Sequence, residues 1–351
     1  GCSLHDLIQP SFSFLVGVAL PFSLASRLAK EANGPPSASR NGGRHPAFNA
    51  LLRRAVVRSF ILIGLGIFLR SMHANQTYFT FEDTLTQIGL GYTFLFGLGF
   101  YSRRVQVGAL VLILVGYWVA FARYPLPDAA FDYAGAGVSP DWESNFRGLA
   151  AHWNKNTNFA WAFDRWFLNL FPRESAFTHN GGGYATLSFI PTLGTMILGL
   201  LAGNALKAAT AQRAKMNFLI LMGVGLLALG VLLHALGINP VVKRIWTPAW
   251  VLFSGGWCFL LLAFFYGVTE VGNYRKWSFP LVVIGTNSIA AYVIADGFGG
   301  FIAGSLYIHL GPNFDQVFGA PYATLVKGGL VLLIEWGILY WMYRKKLFIR
   351  I

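Results

Sequence analysis

Charged residues and cysteines are scarce in this chain, and each scarcity excludes a class of protein. Only 12% of the 351 residues are charged, 55% are hydrophobic and the mean hydropathy is +0.53, which is too apolar for a soluble chain of this length. Two cysteines, Cys2 and Cys258, are too few for a disulfide framework or a thiolate metal site. No zinc-type histidine spacing appears, so we expect no metal, and the glycine-rich phosphate loops are absent as well.

Acidic residues are the rarer charge, with 14 Asp and Glu against 27 Lys and Arg and a net charge of +13. Such an excess occurs in proteins that bind nucleic acid. Here the basic residues stand beside apolar segments, without a basic helix or an aromatic-basic binding module. We therefore expect no nucleic-acid partner, and expect the positive charge to face the anionic lipid of a bilayer.

Long apolar segments are what the chain does have. A helix needs about 20 mostly apolar residues to cross the hydrocarbon core, and nine segments approach this length. They predict an all-α, polytopic transmembrane helical bundle with spans at Leu7–Ser26, Arg58–Met72, Thr84–Phe100, Val105–Arg123, Ala185–Asn204, Met216–Gly237, Ala249–Val268, Ser278–Asp296 and Thr324–Tyr343. A soluble α/β enzyme is the alternative, but its buried strands would run for only about four to eight residues.

The placement of Lys and Arg predicts the orientation, because positively charged short loops stay on the cytoplasmic side. Seventeen of the 27 basic residues fall in alternate gaps between the spans or in the C-terminal tail: Arg27, Lys30, Arg40, Arg44, Arg53, Arg54, Arg103, Arg104, Lys207, Arg213, Lys215, Arg275, Lys276, Arg344, Lys345, Lys346 and Arg350. With nine crossings, the chain would begin outside and its C-terminus would be cytoplasmic. The composition favours a bacterial inner membrane.

Two connections on the predicted outer side are long. The segment 124–184 far exceeds most helix connections, a length often found in lids and binding loops. Its aromatic rings alternate with amides and charges, which suits a sugar-like or polar ligand; tryptophans at a membrane interface give the same pattern. The stretch 297–322 is expected to stay outside as a loop or shallow re-entrant hairpin, since two further crossings so short would be strained.

Polar side chains within the spans indicate a cavity or a partner, because an unpaired charge or amide in hydrocarbon is costly. Gln87, Asn287 and Ser288 are examples in the span interiors. Asp6 lies near the outer end of the first span and is a candidate for an outer vestibule. Helix capping is the alternative explanation for Asp6.

The opening residues 1–17, GCSLHDLIQPSFSFLVG, resemble the W-x-G…D-L…P…F…G segment of the heparan-α-glucosaminide N-acetyltransferase family. Further segments agree in order and spacing over essentially the whole chain. They are Asp164-Arg165 followed by apolar residues, 199–203 (GLLAG), Ile245-Trp246-Thr247, 279–280 (FP) with 285–289 (GTNSI), and 343–348 (YRKKLF). The chain thus resembles a bacterial member of this family of polytopic membrane acyltransferases.

The resemblance implies one transmembrane acyltransferase-like domain over 1–351 that moves an acetyl group from cytoplasmic acetyl-CoA to an extracytoplasmic amino sugar or related glycan. It places the family's first helix and the loop with its catalytic histidine upstream of Gly1. An imidazole suits that task, since it can take the proton that the attacking amine must lose. His5 stands where the family has a small residue and does not inherit this role. His5 and Asp6 are the catalytic candidates in this sequence, with a hydrogen-bonded interfacial histidine as the alternative for His5.

The resemblance also predicts the binding residues. The acetyl-CoA cosubstrate would occupy a cavity open to the cytoplasm and lined by Gln87, Trp246, Asn287 and Ser288. The acceptor would contact the outer segment at Asp164, Arg165, His179 and Asn180. The family's Gln-Arg pair appears here as Gln87-Ile88, so a cation that would face the donor is missing.

Two other classes of function stay open. A small-molecule transporter needs a midplane site made by broken helices. A non-catalytic scaffold or lipid-binding protein of the same fold needs no enclosed polar cavity. The oligomeric state, including a homodimer, is also open.

Overall fold

The structure, a computed structural model, describes residues 3–32 and 46–349. Within these residues the chain is all-helical without strands, as the sequence predicts. In this described part of the chain, seven segments are long and apolar enough to cross a membrane and indicate an integral membrane protein: Leu4–Ala29, Arg103–Arg123, Thr186–Lys207, Gln212–Ala235, Pro248–Val271, Ser288–Leu310 and Ala320–Arg344. The residues group into two compact units, 1–266 and 267–351, which are described separately.

The described residues of the first unit form eight α-helices. They are α1 (Ile8–Ala32), α2 (Pro46–Ser71), α3 (Thr84–Leu98), α4 (Arg103–Arg123), α5 (Phe159–Phe167), α6 (Phe189–Lys207), α7 (Gln212–Ala235) and α8 (Pro248–Tyr266). All except the short α5 alternate in direction. The segment 124–184 therefore shares one end of the bundle, here called the loop end, with the starts of α1, α3, α6 and α8.

The predicted count of nine spans is too high by two among the described residues. The predicted spans 58–72 and 84–100 correspond to α2 and α3, which are absent from the seven candidates. The α3 helix has only 15 residues. The α2 helix is 26 residues long but carries four arginines, Arg53, Arg54, Arg58 and Arg70. The α3 helix is too short and the α2 helix too charged to be counted with the other spans.

The α6 helix forms the centre of the first unit, and its residues Pro191–Gly203 are all buried. Glycines let it approach α1 closely. A Cβ atom on Gly199 would overlap the carbonyl oxygen of Phe14, and one on Gly17 would overlap that of Met196. Small residues at a helix crossing are the usual means of close packing within membranes. The backbones of α1 and α6 are therefore in direct contact at these glycines.

The α4 and α7 helices lie at the periphery of the first unit and expose apolar side chains. Large hydrophobic residues such as Leu112 on α4 and Leu221 on α7 are each 74% exposed. In water such a surface would be unfavourable, whereas lipid tails are its natural solvent. The exposed apolar faces agree with the membrane assignment.

The second unit contains α9 (Phe279–Thr286), α10 (Ser288–Leu310) and α11 (Ala323–Arg344). The predicted span 278–296 and the predicted outer loop 297–322 are both wrong in their boundaries. The helix breaks at Asn287, whose side chain bonds Leu347 O and Ile349 N, and α10 then continues through Asp296 to Leu310. Glycine is tolerated in membrane helices, so the glycine-rich run after Asp296 did not end the helix.

Candidate functional site

The segment 124–184 is held together by its own asparagines. Asn158 caps α5 by accepting from Trp161 N at 3.1 Å. Asn154 exchanges two hydrogen bonds with the backbone of Phe146, and Asn156 donates to Ala136 O at 2.9 Å. These amides satisfy backbone groups that would otherwise lack partners in an irregular segment. They shape the segment, whereas the sequence pattern suggested amides free to bond a sugar.

Contacts with the helices fasten this segment to the loop end. The Arg173 guanidinium donates to Leu168 O and to Phe79 O, the latter just before α3. Asn180 Nδ2 donates to Glu82 Oε1 at 3.1 Å. Trp153 is 1% exposed and stacks on Phe121 of α4 with the two ring planes 4° apart. The segment is therefore packed onto the bundle.

A cavity of about 700 Å³ opens between this segment and the ends of α7 and α8, within the size range of small-molecule sites. We call it the loop-end cavity. Its lining combines aromatic rings, amides, cations and aliphatic groups from the first unit: Asp6, Trp142, Ser144, Phe146, Trp153, Asn154, Lys155, Asn158, Gly183, Tyr184, Val231, His234, Val241, Val242, Lys243, Arg244, Ile245, Trp250 and Phe253.

Two indoles of this lining have unused hydrogen-bond donors. The Nε1 atoms of Trp153 and Trp250 are buried and have no hydrogen-bond partner among the described residues. The two residues are only 1% and 2% exposed. A buried donor without a partner costs about 1–3 kcal/mol. Both nitrogens are enclosed by protein atoms, so other atoms of these two residues border the cavity.

The charge of the loop-end cavity is mainly positive. Lys243 Nζ lies 3.1 Å from Asp6 Oδ1, and Asp6 Oδ2 accepts from the backbone N and Oγ of Ser3. The Arg244 guanidinium lies over the Tyr184 ring and donates to Gly182 O. Lys155 Nζ lies 5.6 Å from the centre of the Trp142 ring. Three cations thus face the cavity with a single carboxylate.

Asp164 lies in a smaller cavity beside the first one. The two cavities share Asn158, Gly183, Tyr184 and Ile245 in their linings, and the smaller one has room for about one water. Asp164 Oδ2 accepts from Thr186 N at 2.9 Å, while Oδ1 has no partner among the described residues. Burial raises the pKa of Asp164 to about 7, because desolvation disfavours the ionised form.

The other three acceptor candidates lie in different surroundings, and only one of them is near Asp164. Asn180 joins Asp164 in the lining of the smaller cavity. His179 faces a separate cavity of about 440 Å³ and has Nδ1 3.1 Å from Gly135 O. Arg165 is exposed and lies over the Trp161 ring. Of the four predicted residues, the structure brings only Asp164 and Asn180 together.

Two donor candidates, Gln87 and Trp246, are packed in the core of the first unit. Gln87 is 1% exposed, donates to Phe81 O at 2.8 Å and accepts from Thr192 Oγ1. Trp246 is 2% exposed and donates from Nε1 to Thr195 Oγ1 at 3.0 Å. Neither residue lines the loop-end cavity. Their hydrogen bonds are satisfied inside the protein.

The remaining candidates differ in setting. Asn287 and Ser288 belong to the second unit, where Asn287 bonds the C-terminal segment and Ser288 begins α10. His5 is exposed and is not in the lining of the loop-end cavity. Asp6 is in that lining. It also forms the capping bonds to Ser3 that the sequence left as its alternative.

Sequence reasoning missed Lys243, Arg244 and Trp250 as cavity residues. A signal for the two cations was present, because they are adjacent basic residues on the predicted outer side, where the chain has fewer of them. Such residues oppose the usual charge bias of membrane proteins. A pair of them next to a span is therefore worth testing as a binding feature.

The chain matches no protein-family model and no curated protein in the comparisons made. Among the described residues, no three His, Cys, Asp or Glu side chains are grouped so that they could hold a metal ion.

Proposed function

We propose that this protein is an integral membrane acyltransferase, which transfers an acetyl group from cytoplasmic acetyl-CoA to an amino sugar or related glycan bound in the loop-end cavity. The observation that supports the acceptor half is the cavity itself, about 700 Å³ in volume and lined by Trp, Tyr, Lys and Arg side chains. Aromatic rings pack on the apolar face of a sugar, and polar groups fix its orientation. The donor half rests on the family resemblance.

The proposed reaction requires a proton acceptor. The amine nitrogen forms a bond to the acetyl carbonyl carbon, the C–S bond breaks and coenzyme A leaves as the thiol, so the amine must lose a proton. Asp164 has its pKa raised to about 7 by burial and an unpaired oxygen next to the loop-end cavity. A carboxylate with a pKa near the working pH is an effective general base. We assign this role to Asp164.

The proposal places the loop end outside and the opposite end in the cytoplasm of a bacterial inner membrane. Arg103 and Arg104 lie in the first turn of α4, and Arg213 and Lys215 in the first turn of α7, at that opposite end. Basic residues in short connections favour the cytoplasmic side. Gln87 and Trp246 are satisfied within the core, so we do not propose them as donor-binding residues.

The transporter alternative has one specific observation in its favour, the break between α9 and α10 at Asn287. Broken helices form the substrate sites of many transporters. The Asn287 amide, however, is occupied by Leu347 and Ile349. This leaves the acceptor cavity as the stronger basis for a function.

A sided assay tests the proposal. The purified full chain is reconstituted in liposomes with labelled acetyl-CoA on one side and glucosamine on the other. The expected result is labelled N-acetylglucosamine in the glucosamine compartment, with the rate lowered about 10²-fold or more by Asp164→Asn. Glucosamine that crosses without acetylation would favour the transporter, and no product in either orientation would contradict the proposal.

A further inference from the structure

The lining of the loop-end cavity is rich in hydrogen-bond donors and poor in free acceptors. Lys155, Lys243 and Arg244 give it three cations. The one carboxylate, Asp6, is already bonded by Lys243 and Ser3. A neutral sugar would meet these donors with hydroxyl oxygens alone, whereas an oxyanion offers several strong acceptors at once.

We propose that the loop-end cavity is an anion site, which binds the phosphoryl or carboxylate group of its ligand through these cations. Formal charges in the lining leave two positive charges in excess. Lysine and arginine side chains are donors only, so they favour a ligand group that accepts hydrogen bonds. The ligand class is therefore an organic anion.

The body of the ligand is less polar than its anionic group. Val231 of α7 and Phe253 of α8 line the same cavity as the cations. A lining that combines aliphatic and aromatic groups with cations suits a ligand with two unlike parts. A sugar phosphate and the headgroup of an anionic outer-leaflet lipid both have this chemistry, and the experiment separates them.

Binding is measured without acetyl-CoA, so that the result does not depend on the proposed acetyl transfer. The full chain in phosphatidylcholine nanodiscs is titrated calorimetrically with glucosamine 6-phosphate and with glucosamine. We expect the phosphorylated sugar to bind at least about tenfold more tightly, the gain for hydrogen bonds to a charged group. The indole N–H resonances of Trp153 and Trp250 should shift on binding in the ¹⁵N-labelled protein.

Matched variants locate the site. Lys155→Gln and Arg244→Gln should each weaken binding of glucosamine 6-phosphate several-fold. Arg147→Gln removes the same charge from an exposed position of the segment 124–184 that does not line the loop-end cavity, and should leave affinity unchanged. Lys155→Gln keeps the test valid if Arg244→Gln unfolds the protein, since Arg244 also bonds Gly182 O.

The lipid arm replaces part of the phosphatidylcholine by phosphatidylglycerol. A lipid ligand would raise the thermal midpoint of the wild type but not of Lys155→Gln, and would compete with the sugar phosphate. Dependence on Lys155 in either arm supports the anion site. Equal affinity for the two sugars, together with no effect of phosphatidylglycerol, would overturn the anion site even if acetyl transfer is observed. Failure of acetyl transfer with intact binding would contradict only the proposed function.

Discussion

Lys243 Nζ and Asp6 Oδ1 lie 3.1 Å apart and join the start of α1 to the segment that precedes α8. The side chains are 20% and 31% exposed, respectively, and both residues line the loop-end cavity. A partly exposed ion pair contributes little to stability. Its consequence is electrostatic, because Asp6 neutralises one of the three cations that face the ligand.

Replacing Asp6 tests this arrangement, because the direction of the change in ligand affinity is predicted. Asp6→Asn should raise the affinity for glucosamine 6-phosphate several-fold, because it removes the only carboxylate in the lining, while lowering stability by about 1 kcal/mol or less. Lys243→Gln should lower the affinity. Calorimetric titration of both variants checks the signs; loss of acetyl transfer at unchanged stability and affinity in Asp6→Asn would instead support a catalytic Asp6.

The pKa of Asp164 predicts a pH-dependent stability. Burial raises it from 3.8 to about 7, so between these values the folded state holds a proton that the unfolded state has released. The free energy of unfolding should therefore fall by on the order of a few kcal/mol as pH rises from about 4 to 7. Above about pH 7 this contribution should no longer change.

Asp164→Asn, which imitates the protonated form, should remove this pH-dependent part of the free energy of unfolding. Thermal unfolding from pH 5 to pH 8 would show the variant to be more stable than the wild type at pH 8 and similar at pH 5. Asp141→Asn, in an exposed part of the same segment, is the control and should follow the wild-type profile. Parallel profiles for all three proteins would show that Asp164 is ionised throughout.

The α1–α6 contact predicts unequal effects of glycine substitutions. Gly199→Ala places a methyl group on the carbonyl oxygen of Phe14, and backbone cannot move aside as a side chain can. Stability should fall by about 1–3 kcal/mol. Gly225→Ala on α7 meets nothing described within 4 Å and should be near neutral. Equal thermal midpoints for the two variants in detergent would contradict the close α1–α6 approach.

Cysteine labelling tests the orientation. Single cysteines are introduced as Glu143→Cys at the loop end and Arg213→Cys at the opposite end, both exposed positions, with Cys2→Ser and Cys258→Ala in the background. A membrane-impermeant maleimide added to intact cells should label the first variant, and label the second only after permeabilisation. The reverse pattern would invert the proposed topology.

Sequence alone predicted the helices whose apolar runs end in clear polar breaks. The predicted spans 105–123 and 216–237 lie within about four residues of α4 and α7 at both ends. Prediction failed where local composition misled, since Asp296 and the following glycines resemble a loop and yet lie inside α10.

The cavity was beyond sequence reasoning for another reason. Lys243 and Arg244 line the same cavity as Trp153 and Lys155, which lie about 90 positions earlier in the chain. No local sequence pattern predicts that these distant residues lie near each other. The asparagines of the segment 124–184 were visible in the sequence, but their use in bonding backbone depends on how the segment folds. The loop was predicted as a binding element, whereas its partners on α7 and α8 were not.

The most direct test of the central claim is an electron cryomicroscopy map of the full chain in nanodiscs with saturating glucosamine 6-phosphate. We expect ligand density in the loop-end cavity, in contact with Arg244 and with the rings of Trp153 and Trp250. A map in which that cavity stays empty while the ligand occupies a site elsewhere in the protein would contradict it.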